Sequence, residues 1–296
     1  MHIGLIGLGR MGENMRSRLR SRQITVTGFD PGVDTTDVAS LNELVHALPE
    51  RKIIWVMVPA GEVTDSVINE LSPLLSPGDV ILDGGNTFFE DDLRRHEQLA
   101  TRNITYVDVG VSGGVWGKDN GYGLMVGGDD DVVAHLMPIF DALRPDGPRE
   151  EGFVHVGPVG AGHYAKMVHN GIEYGLMQAY AEGYELLASR TDLIEDVGAV
   201  FGAWQRGTVV RSWLLELITK ALKEDPGLSD IRGYAEDSGE GRWTVQEAVD
   251  QAVATPVISA ALYARFVSRQ QDSPAMKAIA AMRHQFGGHA AMPADK

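Results

Sequence analysis

The amino-acid sequence predicts an α/β fold followed by an all-α domain. Apolar, β-branched runs alternate with helical patterns through the first 160 residues, and after about residue 163 such runs almost disappear while long helical patterns continue. Strands that alternate with helices are typical of a right-handed, doubly wound parallel sheet. We therefore predict a boundary near residue 160, with an α/β domain over residues 1–160 and a helical domain over residues 161–296.

Five apolar runs predict the strands of the first domain. They are "HIGLIGLG", "ITVTGFD", "KIIWVMVP", "DVILDGG" and "ITYVDVGVSGG". The third run is apolar on both faces, as buried parallel strands are. Helical spacing follows the first run at "RMGENMRSRLRSR" and is clearest over residues 61–75 and 88–102. After "FVHVGPVGAG" the helical patterns are broken at "EDPG" and "DSGEG", and the tail "GGHAAMPADK" has no helical pattern.

Length, charge and cysteine content limit the class of protein. A chain of 296 residues can bury the cores of two domains. The net charge of −15 argues against a nucleic-acid or anionic-membrane partner, but a small anionic substrate needs only a local cationic pocket. Because cysteine is absent, disulfides and thiolate nucleophiles are excluded. Neither a membrane span nor a signal peptide is apparent, so we expect a cytoplasmic protein.

The segment Gly7-Leu8-Gly9-Arg10-Met11-Gly12 matches the pattern G-x-G-x-x-G. It follows a predicted strand and opens a predicted helix, which is the context that a dinucleotide-binding motif requires. Close backbone approach and the free N–H groups of a helix N-terminus both suit a pyrophosphate. We therefore predict that residues 1–160 form a Rossmann-type dinucleotide-binding domain. A glycine turn without a ligand is the alternative.

Asp30 ends the second predicted strand, 18 residues after Gly12. A carboxylate at this position can accept hydrogen bonds from both ribose hydroxyls of NAD, and it would repel the 2′-phosphate of NADP. The following "PGVDTT" offers no Arg or Lys that could bind this phosphate. NAD is therefore favoured over NADP. An ordinary turn aspartate before Pro31 is the alternative.

Three further turns lie at the carboxyl ends of predicted strands, where ligands bind in open α/β sheets. In "VPAG", Val58, Pro59 and Ala60 can line the cofactor. In "DGGN", Asn86 can reach the cofactor or a substrate. In "GVSGG", the hydroxyl of Ser112 and the backbone N–H groups of Gly113 and Gly114 could hold a carboxylate or a hydroxyl. For each of them plain turn chemistry is the alternative.

The stretch "KMVHNGIEYG", residues 166–175, has an unusual polar stripe. At helical spacing Lys166, His169, Asn170, Glu173 and Tyr174 share one face, which either faces solvent or lines a site. The opposite stripe is apolar, so the pattern alone leaves both interpretations open. Gly171 and Gly175 each lower helix propensity by roughly 1 kcal/mol, which indicates close packing. An amine and a carboxylate about 10 Å apart could act as base and acid on one small molecule.

These motifs together resemble the 6-phosphogluconate dehydrogenase family. The resemblance rests on GLGRMG, VPAG, ILDGGNT, GVSGG, GPVGAGHYAKMVHNGIEYG, DSGEGRWT and RHQFGGH, which span nearly the whole chain. The chain is similar to the short, often NAD-linked form of the family. The long form usually has an Asn-Arg pair where this chain has Phe29-Asp30. The resemblance implies oxidative decarboxylation of 6-phosphogluconate to ribulose 5-phosphate and CO2.

The resemblance also implies catalytic roles for two residues of the stripe. Lys166 would be the general base that takes the proton of the C3 hydroxyl while hydride leaves C3, and it would return a proton to the C3 oxygen as CO2 departs. Glu173 would protonate the enediol at C1. No metal is implied, because the ketone β to the carboxylate is the electron sink. Lys166 must be neutral to act, so burial must depress its pKa from about 10.4, and we expect a bell-shaped pH profile.

Substrate-binding residues follow from the resemblance as well. Asn86, Ser112, Gly113, Gly114, His169 and Asn170 would surround the sugar acid, and Tyr174 would lie at the phosphate. In "RFVSR", Arg265 and Arg269 are four residues apart on one helical face, where they are either phosphate ligands or surface charges. Arg283 and His289 of "RHQFGGH" match family residues that reach a neighbouring subunit. We therefore predict a homodimer or homotetramer whose tail, within residues 283–296, completes the neighbour's site.

Two other functions fit part of these observations. Another β-hydroxyacid dehydrogenase, for example one acting on 3-hydroxyisobutyrate, would not need Glu173, Arg283 or His289. A non-catalytic NAD-binding protein would keep the glycines and Asp30 but would have no use for Lys166 together with Glu173.

Overall fold

The computed structural model describes residues 1–287, 290 and 292 of the chain. Their contacts divide the chain into two compact units, Met1–His169 and Asn170–Lys296. The long helix α7 (Ala161–Ala188) contains the division, so it begins in the first unit and ends in the second. Among the described residues, no helix is both long and apolar enough to cross a membrane. The cytoplasmic location stays a prediction of the sequence.

The first unit alternates strands with helices, as predicted. Its strands are β1 (His2–Ile6), β2 (Thr25–Phe29), β3 (Ile53–Val56), β4 (Val80–Asp83), β5 (Thr105–Ser112), β6 (Gly123–Gly127) and β7 (Phe153–Gly157). Its helices are α1 (Arg10–Ser21), α2 (Leu41–Ala47), α3 (Glu62–Leu71), α4 (Phe89–Ala100), α5 (Gly117–Asn120) and α6 (Asp130–Leu143). All five predicted strands are confirmed, and β6 and β7 were not predicted.

The strands form one sheet in the order β2-β1-β3-β4-β5-β6-β7. The order reverses between β1 and β3, and the crevice at such a switch point is where open α/β sheets bind ligands. One pairing differs from the predicted parallel sheet, because β6 runs antiparallel to β5. Only residues 113–122 connect these two strands, and a parallel crossover needs about a dozen residues or more. The short connection therefore forces the antiparallel pairing.

Apolar side chains cover both faces of this sheet. Along β3, Ile53 and Trp55 belong to one buried cluster, and Ile54 and Val56 belong to the other. Successive residues of a strand point to opposite faces, so the continuous apolar run packs against helices on both sides. The prediction that this strand is buried on both faces is confirmed.

The second unit is helical among the described residues. After the end of α7 it contains α8 (Val197–Trp204), α9 (Trp213–Glu224), α10 (Glu240–Asp250), α11 (Pro256–Ser268) and α12 (Pro274–Gly287). The breaks predicted at "EDPG" and "DSGEG" are confirmed, because α9 ends at Glu224 and α10 begins at Glu240. Most of the predicted non-helical tail, residues 287–296, lies outside the described residues, and its first residue, Gly287, belongs to α12 instead.

Candidate active site

The glycine-rich loop joins β1 to α1 by close backbone approach. Gly7 has a φ angle of +90°, and a β-carbon placed on it would lie 2.3 Å from the carbonyl oxygen of Met57. A β-carbon on Gly12 would lie 1.9 Å from the carbonyl oxygen of Gly7. A side chain at Gly7 would therefore clash with the chain after β3, and one at Gly12 would push the first turn of α1 away from Gly7. The loop leaves the unpaired N–H groups of this turn, next to the exposed Gly9 and Arg10, available to a pyrophosphate.

Asp30 is hydrogen-bonded to this loop. Its Oδ2 accepts a bond of 2.8 Å from the backbone N–H of Leu8, and its Oδ1 accepts one of 2.8 Å from Gly32. The bond to Gly32 is the turn role that the sequence left open. The bond to Leu8 places the carboxylate beside the dinucleotide loop, where NAD ribose hydroxyls would lie. The loop and Asp30 thus fit a dinucleotide together.

Two cations near the end of β2 are already paired. Nη1 of Arg16 lies 3.2 Å from Asp37, and Nη2 of Arg20 lies 2.6 Å from the same carboxylate. The Arg16 side chain is buried, and it also donates to the carbonyl oxygen of Thr35 at 2.8 Å. Arg16 also pairs with Glu13, so two carboxylates balance these two guanidinium groups, which therefore add no net positive charge beside Asp30.

The turns after β3 and β4 lie side by side. A β-carbon on Gly85 would lie 3.1 Å from the carbonyl oxygen of Val58, and Pro59 and Ala60 are exposed. Asp83 fixes the second turn. Its carboxylate accepts bonds from the backbone N–H of Gly85 at 2.9 Å and from the Thr87 hydroxyl at 2.8 Å. Asn86, between these two donors, is therefore held exposed at the tip of the turn.

One face of β5 meets the first three turns of α7 at three places. The pairs are Asp108 with His163, Gly110 with Lys166, and Ser112 with His169. A β-carbon on Gly110 would lie 2.5 Å from the β-carbon of Lys166, and the Ser112 hydroxyl lies 3.5 Å from Nε2 of His169. Alternate residues of a strand and every third residue of a helix share a face, so the two elements run alongside each other here. Lys166 is thereby placed beside the carboxyl end of β5.

Three of the five positions in the polar stripe of α7 are buried. Lys166, Asn170 and Tyr174 are 7%, 8% and 5% exposed, whereas Ile172 on the opposite stripe is 53% exposed. The solvated-face interpretation is therefore wrong for these three positions. His169 is exposed and Glu173 is half-buried, so the stripe also offers groups that a ligand can reach.

Tyr174 is the centre of a cationic cluster in the second unit. The Arg265 guanidinium carbon lies 3.4 Å from the centre of its ring, and the backbone N–H of Ser238 donates to its hydroxyl at 3.1 Å. A β-carbon on Gly241 would lie 2.4 Å from the ring, so the ring packs directly on the start of α10. Gly171 packs equally closely on Thr244, which explains its place in α7.

Asp237 holds two arginines of the same cluster. Nη1 of Arg269 lies 2.8 Å from its carboxylate, and Arg242 donates to it as well. The hydrogen bond from Arg242, with that from Arg269, keeps the pKa of Asp237 below its usual value, although partial burial opposes this. Arg242 is a candidate that the sequence analysis missed, even though it lies within the DSGEGRWT segment.

For the other predicted site residues the structure gives mainly backbone conformation and exposure. Gly113 adopts a φ angle of +134° and Gly114 is exposed, so the turn after Ser112 presents open backbone. Arg283 is exposed on α12. His289 lies outside the described residues.

Comparison with known proteins decides the family. The model of the NAD-binding domain of 6-phosphogluconate dehydrogenase matches residues 2–145, and the model of the C-terminal domain of this enzyme matches residues 162–293. The chain belongs to the 6-phosphogluconate dehydrogenase family. It is 42% identical over 300 residues to the NAD(+)-dependent, decarboxylating 6-phosphogluconate dehydrogenase of Haloferax volcanii, and the match covers 98% of both proteins.

Relatives in this 6-phosphogluconate dehydrogenase family differ in length and in cofactor. The NADP(+)-dependent enzyme of Bacillus subtilis is 36% identical over 91% of this chain, which spans 62% of the relative. The 6-phosphogluconate dehydrogenase of Plasmodium falciparum has a TM-score of 0.81 at 28% identity, and the match covers all of this chain and 66% of that one. The 3-hydroxyisobutyrate dehydrogenase of Mycobacterium tuberculosis shares the fold, with a TM-score of 0.71 at 23% identity over 95% of this chain and 99% of that one. The family establishes an NAD-binding domain but leaves the choice between NAD and NADP to the chain's own residues.

Proposed function

We propose that this chain catalyses the oxidative decarboxylation of 6-phosphogluconate to ribulose 5-phosphate and CO2, with NAD as the hydride acceptor. The observation that carries the proposal is the match to both family models over residues 2–145 and 162–293. The relative of equal length from Haloferax volcanii bears this activity in its name. We further propose that residues 1–160 bind the dinucleotide and that residues 161–296 bind substrate and form the oligomer.

Lys166 is the proposed general base. Its side chain is 7% exposed and starts against Gly110, and burial disfavours the charged form of an amine. The neutral amine accepts the proton of the C3 hydroxyl, and bound NAD supplies the hydride acceptor. Lys166 then returns this proton to the C3 oxygen while the bond between C1 and C2 breaks and CO2 leaves. Glu173, two turns further along α7, donates a proton to the former C2 of the enediol, which becomes C1 of ribulose 5-phosphate.

The remaining stripe and turn residues are proposed to grip the sugar acid. Ser112 and His169, whose side chains lie 3.5 Å apart, can share a substrate hydroxyl or carboxylate. Asn86, Gly113, Gly114 and Asn170 complete this set. Of the two arginines in "RFVSR", we favour Arg265 as the phosphate ligand. Arg269 is bound to Asp237, whereas Arg265 stacks on Tyr174 and donates to the backbone carbonyl of Glu236 at 2.8 Å.

Asp30 supports NAD over NADP. Its carboxylate lies at the dinucleotide loop, and Arg16 and Arg20, near the end of β2, are bound to Asp37. A 2′-phosphate would meet the negative charge of Asp30 there, and the paired guanidinium groups of Arg16 and Arg20 would not offset it. Val58, Pro59 and Ala60 would line the same cofactor from the neighbouring turn.

The helix α12 supports a homo-oligomer. Each residue from Pro274 to Gln285 is exposed. Among them Met276, Ile279 and Met282, which are 58%, 44% and 59% exposed, form an apolar face. A helix of 14 residues is marginal in water without packing. We propose that a second copy of the chain covers this face and that Arg283 and His289 reach the neighbour's site.

The direct test measures NADH absorbance with 6-phosphogluconate, gluconate and 3-hydroxyisobutyrate. We expect turnover of 6-phosphogluconate far above that of the other two, and preferential use of 3-hydroxyisobutyrate would refute the proposal. Lys166→Arg keeps the charge but removes a usable base, so it should abolish hydride transfer. Lys118→Arg, at an exposed position, is the matched control and should keep wild-type activity.

A further inference from the structure

A buried polar network reaches the first turn of α7 through His163, and none of the proposed chemical steps uses it. Five of its side chains are at most 1% exposed: Asp83, Asp92, Arg95, Tyr106 and His163. Nδ1 of His163 lies 2.7 Å from Oδ2 of Asp92. The Tyr106 hydroxyl lies 2.9 Å from the other oxygen of Asp92 and 3.0 Å from Asp83. Nη1 of Arg95 donates to Asp83 at 3.2 Å.

The network connects two parts of the candidate site. At one end, Asp83 fixes the turn that carries Asn86, through the bonds to Gly85 and Thr87. At the other end, His163 lies on α7 one turn before Lys166. Tyr106 on β5 and Asp92 on α4 are the links between these ends. The chain separation from Asp92 to His163 is 71 residues, so this link joins elements that are otherwise distant in the sequence.

The first turn of α7 is held from two directions. From β5, Asp108 accepts the backbone N–H groups of Gly160 at 2.7 Å and His163 at 2.8 Å, which caps the N-terminus of the helix. From α4, Asp92 holds the His163 ring. The bonds of Asp108 fix where the helix begins, and the bond to Asp92 fixes its rotation about its own axis. The direction of the Lys166 side chain depends on that rotation.

We propose that Asp92 and His163 are positioning residues, which orient α7 so that the Lys166 amine points at the reacting hydroxyl. The inference rests on the proposed role of Lys166 as base. Tyr106 extends the same role to the turn of Asn86. Hydrogen-bond geometry, rather than the charge of Asp92, is the property that matters.

The chemistry of the network favours protons over a metal ion. Asp83, Asp92 and His163 offer ligand atoms within 4.8 Å of one another, a spacing that a divalent cation could use. However, the Tyr106 hydroxyl already lies between the two carboxylates, and the Arg95 guanidinium already supplies a positive charge to Asp83. A hydroxyl carries only one hydrogen for two acceptors, so an amide at position 92 would complete the set: its NH2 donates to Tyr106 and its oxygen accepts from His163.

The test compares a conservative and a disruptive substitution at one position. Asp92→Asn keeps both hydrogen bonds and should retain kcat within about 3-fold. Asp92→Leu removes both, and the misplaced base should lower kcat by on the order of 10²-fold. The KM for NAD should change less than about 3-fold in both variants, because the Gly7–Gly12 loop and Asp30 lie outside the network. Glu97→Gln, at an exposed position of the same helix, is the matched control.

Tyr106→Phe keeps the hydrophobic ring and gives a second variant should Asp92→Leu fail to fold; we expect kcat to fall about 10-fold with the KM for NAD unchanged. Three outcomes would overturn the proposal. The first is an equal loss of kcat in Asp92→Asn and Asp92→Leu, and the second is wild-type kcat in Asp92→Leu or in Tyr106→Phe. The third is a loss of wild-type activity when EDTA removes metal.

Hydrogen exchange separates this inference from the proposed function. Amides 160–166 should exchange faster in Asp92→Leu than in Asp92→Asn even if the wild type does not oxidise 6-phosphogluconate, and equal rates in the two variants would refute the positioning role.

Discussion

Lys166 packs on Gly110, and a β-carbon on this glycine would lie 2.5 Å from the β-carbon of the lysine. The position of the proposed base therefore depends on the absence of a side chain at residue 110 in β5. The carbonyl oxygen of Gly162 lies 2.9 Å from the same point, so the helix backbone is as close as the lysine. Neither neighbour is the flexible end of a side chain that could turn away.

Gly110→Ala should consequently displace α7 from β5. We expect kcat to fall by on the order of 10²-fold because the amine is misplaced, and the free energy of unfolding to fall by about 1–3 kcal/mol from overpacking. Steady-state kinetics and urea unfolding measure the two effects. Gly157→Ala is the control, because its β-carbon would meet Ala161 at an ordinary 3.5 Å. Wild-type kcat in Gly110→Ala would contradict the assignment of Lys166.

Asp30 should decide the cofactor. We expect the wild type to prefer NAD over NADP in kcat/KM, and Asp30→Asn to lower this preference by about 10- to 100-fold. Loss of a hydrogen bond to a charged group corresponds to about 1.5–3 kcal/mol. Initial rates with both cofactors give the ratio. Asp34→Asn, in the same exposed segment, should leave it unchanged, and a wild-type preference for NADP would refute the proposed role of Asp30.

The Asp92–His163 pair should make the fold sensitive to alkaline pH. Burial opposes a charge on His163, but the Asp92 carboxylate outweighs it and raises the pKa of His163 to about 9. Burial raises the pKa of Asp92 to about 6, against the opposing effect of His163. Asp83 and Asp108 also favour the imidazolium. Between pH 6.5 and about 9 the folded chain keeps a proton that the unfolded chain releases, so stability falls as the pH rises through this range.

Urea unfolding at pH 6.5, 7.5, 8.5 and 9.5 measures this slope, with a maximum of about 1.4 kcal/mol per pH unit. His163→Asn keeps a donor near the Nδ1 position but cannot titrate. The free energy of unfolding of this variant should therefore no longer fall with pH in this range. His46→Asn, at an exposed position, should keep the slope of the wild type. A wild-type stability that rises from pH 6.5 to 9 would show that His163 is neutral in the folded chain.

Arg265 should set the affinity for the phosphate group. Arg265→Gln should raise the KM for 6-phosphogluconate by about 10- to 100-fold, because one charge-assisted hydrogen bond is worth about 1.5–3 kcal/mol. The KM for NAD and the rate with unphosphorylated gluconate should stay unchanged. Arg190→Gln is the control, since Arg190 pairs with Asp192 at the surface. If Arg269→Gln had the larger effect, the assignment of the two arginines would be reversed.

The apolar face of α12 should hold the oligomer together. Replacing Met276 and Ile279 by Asp places charges on a face that we propose to be buried against a second copy, so the mass in solution should fall to that of a smaller species. Light scattering coupled to gel filtration measures this mass. Deletion of residues 283–296 should abolish activity while the cofactor domain still binds NAD. Unimpaired substrate affinity in the truncated chain would contradict a tail that completes the neighbour's site.

Most local features could be predicted from the sequence. The five strands, the glycine loop and the breaks at "EDPG" and "DSGEG" are encoded by periodicity, turn residues and helix propensity within short windows. The antiparallel strand β6 was missed, because its run "GLMVG" is short and glycine-bounded. The pairing direction depends on the length of the connection from β5, which a pattern of apolar residues does not express.

The sequence by itself determined the fold class, the dinucleotide loop and a polar stripe on one helix. Only the tertiary structure decided that Lys166, Asn170 and Tyr174 in this stripe are buried, since a helical wheel cannot tell which face meets another element. It also paired Asp92 with His163 and brought Arg242 and Arg269 to Asp237. The physical reason is the same in each case. A buried polar group is stable only beside its partner, and the partner comes from a distant part of the chain that local spacing does not specify.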